Sequence, residues 1–193
     1  MLNVKMISSI FSSFLENPST IPGYVDGLDR AVWGNIKTNQ ELWHLEDSAR
    51  MAELGFEHVA TAKRTIDKRN QMRNDLIVEM DKEIADRIGV SPGSNELSNS
   101  ESPGMMIDRL AILFIKRSIL RDLLSVIEEE DLHKEYEEKE HAIGKQIESL
   151  ERFLDTYLVR LLRKEASFII QRPVKIYNDE RIVKYVKMLR TKS

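Results

Sequence analysis

Residues 63–81, KRTIDKRNQMRNDLIVEMD, hold neither glycine nor proline and repeat their apolar positions with a helical period. At about 100° per residue, Ile66 and Ile77 share a sector with Val59 and Ile88, and Lys63, Asp67, Asn70, Asn74 and Asp81 fall into that same sector. The stretch therefore reads as the middle of a long helix whose core-facing stripe carries charged and amide side chains. Polar groups placed there need hydrogen-bond partners.

Two further stretches repeat the pattern. In residues 102–116, SPGMMIDRLAILFIK, the residues Asp108, Arg109 and Lys116 accompany Ile112, Ile115, Ile119 and Leu123. Upstream, Asn39, Glu46 and Arg50 lie near Leu42 and Ala49, with Glu46 and Arg50 spaced for an i,i+4 ion pair. Three helices that bring these stripes together would form one polar cluster of Glu46, Arg50, Lys63, Asp67, Asn70, Asn74, Asp108, Arg109 and Lys116. Its charges nearly balance, which suits mutual satisfaction between helices.

Working outward, residues 4–15 suggest a short helix that ends before Asn17 and Pro18. A first long helix starts near Leu28 to Ala31, Gly55 breaks the chain, and a second helix runs from 56 to 88 with Gly89 as its C-terminal cap. Residues 89–102 have the composition of a flexible loop. Ser102 and Pro103 read as N-cap and first residue of a third helix, 103–127. From Leu132 to about Ile170, the positions Tyr136, Glu140, Ile143, Ile147, Leu150, Leu154, Tyr157 and Leu161 form a heptad-like seam, so the fourth helix is very long and Pro173 stops it. A short last helix spans about 179–189. The expected fold is all-α: a single helical domain over residues 1–193, built as an antiparallel bundle of four main long helices with short N- and C-terminal helices. The seam on the fourth helix predicts a homodimer contact.

Composition narrows the function. The 193 residues are 41% hydrophobic and 32% charged, as in a chain that buries a sizeable core. A formal net charge of −3 gives no general drive toward nucleic acid or acidic membranes. The basic residues Arg181, Lys184, Lys187 and Arg190 read as the solvated face of the last helix. Without cysteine there is no disulfide, thiolate nucleophile or Cys-ligated zinc, and a cytoplasmic location is the natural assignment. The longest strongly apolar run, 110–115, is far short of the roughly 20 residues that span a bilayer.

The chemistry suggested by the cluster is recognition of a phosphorylated or sugar-like small molecule. Ser102, Gly104 and Arg109 would form an anion site at a helix N-terminus, while Asn70 and Asn74 present paired donors and acceptors. Asp67 and Asp108 are the candidate acids or bases, with Arg109 and Lys116 near the phosphate, if the chain is instead a small transferase or hydrolase acting on a phosphorylated sugar. A third alternative is an oligomeric scaffold with a purely structural polar core. The pairs Glu41/His44, Glu130/His133 and Glu138/His141 have the spacing of di-iron bundles, but no inward glutamates accompany them on other helices, so no metal and no cofactor is expected. Walker A, G-x-S-x-G and G-x-G-x-x-G sequences are absent.

The motifs LWHLED-x-AR at 42–50, K-x-x-ID-x-x-NQ-x-RND at 63–75 with Asp81, and E-x-PG-x-x-IDRL-x-IL-x-x-K at 101–116 together resemble the bacterial domain-of-unknown-function family number 4254. That resemblance implies a helical protein, often associated with genes of surface-polysaccharide assembly, and supplies no catalytic residue. Here Ser102 stands where threonine is expected before Pro-Gly, and Ala111 where a serine is usual.

Overall fold

A computed structural model describes residues 3–19, 23, 27–89, 98–172 and 180–190. The fold is all-α, as expected. Four long helices pack antiparallel: α2 (Gly27–Ser48), α3 (Phe56–Ile88), α4 (Pro103–Leu124) and α5 (Glu130–Leu162). Short helices α1 (Val4–Glu16) and α6 (Val183–Arg190) stand at the two ends.

Helix α1 begins where the Asn3 side chain accepts the Met6 amide at 2.9 Å. Its Val4, Ile7, Ile10, Phe11 and Phe14 recur at three- and four-residue spacings and are all buried. They close the core over α2, α4 and α5, with Phe11 against Phe114 and Phe14 edge-on to Trp33.

Helix α4 is the central element, touching α1, α2, α3 and α5. Its buried residues therefore cover a wide sector, including Met106, Ile107, Asp108, Leu110, Ala111, Leu113 and Ile115. Helix α2 ends at Ser48, and a 3-10 turn, Ala52–Leu54, leads to Gly55. Gly55 has φ 91°, a region glycine enters at little cost. His58 Nε2 lies 2.9 Å from Ser48 Oγ and so ties the start of α3 back to the end of α2. At its far end α3 stops at Gly89, which is left-handed, as the sequence suggests.

Three expectations change. The fourth helix stops at Leu162, earlier than about Ile170, because Lys164 turns the chain with φ 59° and Ser167 and Phe168 become extended. Those two residues, strand β2 (Ser167–Phe168), pair in parallel with β1 (Ser98–Asn99). Ser98 and Asn99, expected as part of a loop, are thus a strand, while Ser102 caps α4 as the sequence suggests; residues 90–97 and Pro173 lie outside the described residues. The seam of α5 is also spent within the chain: Ile147, Leu154, Tyr157 and Leu161 are buried in the core shared with α4 and α1. A dimer through this helix has only its outer residues left, among them Phe153.

Among the described residues no helix is long and apolar enough to cross a membrane.

Candidate functional site

Leu28, Val32, Asn35, Asn39 and Leu42 alternate four- and three-residue steps along α2 and all are buried. Two asparagines therefore occupy the apolar seam of this helix. They are matched by Asp108 on α4, which is 5% exposed. Asn35 Nδ2 and Asn39 Nδ2 each donate to Asp108 Oδ1 at 2.9 Å. Arg73 of α3 brings Nε to 3.3 Å from the same oxygen as an ion pair. One carboxylate oxygen thus joins three helices. The Arg73 Nε atom is buried and its N–H is not aligned with any acceptor among the described residues.

A cleft of about 250 Å³ opens in front of this network, between α2, α3 and α4. Leu42, Trp43, Ile112 and Ile115 form its apolar walls. Asn39, Asn70 and Arg73 supply polar groups, and Glu46, Asp47 and Arg50 stand at the rim. Asn39 uses its Nδ2 on Asp108 and Asn35 and keeps Oδ1 for an outside donor. Asn70 makes no side-chain hydrogen bond among the described residues, so both ends of its carboxamide are available.

The nine-residue cluster is only partly assembled. Glu46, Arg50 and Asn70 meet at the cleft, and Asp108 lies behind it. Glu46 and Arg50 are exposed rather than core-facing, and they are not paired. Because α2 ends at Ser48, Arg50 lies in the following turn and its Nη1 reaches Asp47 at 2.8 Å. Lys63 and Asp67 are exposed, and Asn74 is half-buried. The buried sector of α3 runs through Ile66, Met80 and Ile84, and Lys63 is turned some 60° from Ile66. Arg73, which lies only about 20° from Ile66, is the side chain that enters the interior. On α4, Arg109 and Lys116 sit about 80–100° away from Asp108 and are exposed. Asp67 and Asp108, the candidate acids or bases, are therefore not joined with Arg109 and Lys116 in one pocket: Arg109 lines a separate groove between α4 and α5, with Met106, Leu113, Leu150 and Phe153.

The groups of the expected anion site are committed to partners within the chain. Gly104 N donates to Asp81 Oδ1 at 2.7 Å, and Ser102 Oγ accepts the Met105 amide at 3.3 Å. Arg109 pairs with Glu101. The anion at the start of α4 is thus the chain's own Asp81. Burial pushes the Asp81 carboxyl up to about 6, against the lowering effect of its hydrogen bonds with Ser102 and Gly104.

Sequence reasoning missed Asn35 and Arg73. The signal for Asn35 was present in the four-and-three run from Leu28 to Leu42; the signal for Arg73 was its closeness in angle to Ile66, obscured by the exposed polar residues around it. The histidines do not gather: His44 and His141 are exposed, and His133 lies 3.7 Å from Glu137. Among the described residues no group of three or more His, Asp and Glu side chains is arranged to hold a metal.

Comparison with curated proteins and with solved structures gives no match. Residues 29–168, which contain the three-helix network and the whole cleft, match the family described as "Protein of unknown function (DUF4254)", and the chain belongs to that family.

Proposed function

We propose that this protein is a noncatalytic binding protein for a small hydroxyl-rich molecule, in the surface-polysaccharide setting that its family resemblance implies. The observation that carries this reading is the cleft between α2, α3 and α4. It sets two asparagine carboxamides against an apolar wall that includes Trp43. The Asn70 carboxamide donates and accepts at once, which matches a hydroxyl group, Asn39 Oδ1 adds an acceptor, and an aromatic side chain offers a flat surface for the carbon skeleton. A few polar groups over apolar walls is the common composition of a small-molecule site, and 250 Å³ lies just below the usual range of about 300–1,000 Å³.

Asp108 serves this site from behind. Its oxygen already receives two amide donors and the Arg73 contact, so it holds Asn39 and Arg73 in place. Asp108 is thus engaged in positioning its neighbours, and that use of it supports the noncatalytic reading. Titration of the labelled protein with neutral monosaccharides, followed by NMR, tests the reading. Resonances of Asn39, Asn70 and the Trp43 indole should move together, and Asn70→Ala should abolish the response while the spectrum stays folded. Absence of any response at millimolar sugar would overturn it.

A further inference from the structure

The sequence suggests an anionic ligand, but the charged residues that line the cleft leave the opposite sign. Arg73 faces the buried carboxylate of Asp108 at 3.3 Å, which offsets its charge. Arg50 is held by Asp47 at 2.8 Å. Beside the cleft, Arg69 is likewise taken by Glu41 at 3.0 Å. Glu46 is the remaining charge on the lining, and it makes no ion pair or side-chain hydrogen bond among the described residues. Its expected partner, Arg50, has been diverted to Asp47 by the end of α2. The site therefore carries one uncompensated negative charge, and Trp43 shares its wall. A carboxylate next to an indole is a combination that attracts a cation through both Coulomb and cation–π terms.

We infer that the ligand of this cleft carries a protonated amine in addition to its hydroxyl groups, the amine lying at Glu46 and Trp43 and the hydroxyls at Asn39 and Asn70. The inference rests on the binding function proposed above and deepens it by naming the ligand class: an amino-substituted polyol or sugar. Glu46 is exposed and acts as a selector for charge, whereas Asn70 contributes to binding any member of the class.

Affinities for glucosamine, glucose, N-acetylglucosamine and glucose 6-phosphate, measured by calorimetry at neutral pH where most glucosamine is protonated, test this. Glucosamine should bind roughly three- to tenfold more tightly than glucose or N-acetylglucosamine, the scale of an exposed charge contact with an aromatic neighbour. Glu46→Gln should bring the ratio of glucosamine to glucose affinity down to about one. Equal affinity for glucosamine and glucose, tighter binding of the phosphate, or a preference that survives Glu46→Gln overturns the inference while leaving the cleft as a sugar site. Failure of all four probes to bind, or binding that survives Asn70→Ala, overturns the cleft assignment and the inference with it.

Discussion

Asp81 and Gly104 are joined by a 2.7 Å hydrogen bond from the Gly104 amide to Asp81 Oδ1, so a carboxylate from the C-terminal third of α3 caps the N-terminus of α4. The contact offsets the partial positive charge of the free amides at that helix end. It also brings backbone unusually close to α3: a Cβ on residue 104 would lie 2.6 Å from the Ile77 carbonyl oxygen and 2.8 Å from Asp81 Oδ1. Glycine is needed here for space, since only a side-chain-free residue admits this approach.

Gly104→Ala is accordingly expected to destabilise the protein by about 1–3 kcal/mol, the usual cost of overpacking. Urea denaturation of the variant beside the parent checks it. An unchanged midpoint would mean that α4 can shift away from α3 at no cost.

The same carboxyl predicts a pH dependence. With its pKa raised in the fold from 3.8 to about 6, Asp81 binds its proton more tightly when folded than when unfolded. Between those values the folded state holds more protons, so this residue's contribution to stability grows as pH falls from about 7 toward 4 and is lost as pH rises through about 6. Its full size is on the order of 3 kcal/mol, from about 1.4 kcal/mol per unit. Subtracting the stability of Asp81→Asn from that of the parent at each pH isolates this contribution from the other carboxylates; a difference that is flat from neutral pH to about 4 would contradict it.

Removing Asp108 leaves buried donors from Asn35 and Asn39 without their acceptor and Arg73 without its counter-charge. Asp108→Ala should cost about 3–5 kcal/mol, as expected when one partner of a buried ionic network is deleted. A loss below about 1 kcal/mol in chemical denaturation would show that water replaces the carboxylate easily.

Arg109 offers the contrasting case. It and Glu101 form a pair of half-exposed side chains, with 51% and 43% of their area accessible. Arg109→Ala should change stability by no more than about 1 kcal/mol. A thermal melt in which this variant collapses would place Arg109 in a structural role that its exposure does not suggest.

Asn70→Ala separates binding from folding. Asn70 is half-buried at the cleft and makes no side-chain hydrogen bond among the described residues, so stability should stay within about 0.5 kcal/mol of the parent. Sugar binding should be lost, which paired denaturation and calorimetry would reveal. A strongly destabilised variant would instead assign Asn70 to the core.

Local rules in the sequence determined the helical elements. Gly89 and Ser102 mark helix ends because left-handed backbone and side-chain capping are properties of single residues, and the recurrence of Val4, Ile7, Phe11 and Phe14 defines a buried face without reference to any partner. Asp108 could likewise be placed inward from its apolar neighbours. Only the tertiary structure decided which polar residues meet. A rotation of some 80° about α3 exchanges Lys63 for Arg73 at the interior, and the periodic pattern is too broad to resolve that angle. The partner of Arg50 depends on where α2 ends, and the anion at the start of α4 depends on α3 lying against it. Spacing along one helix specifies a face, whereas a site between three helices depends on their relative rotation and length, which are properties of the packed whole.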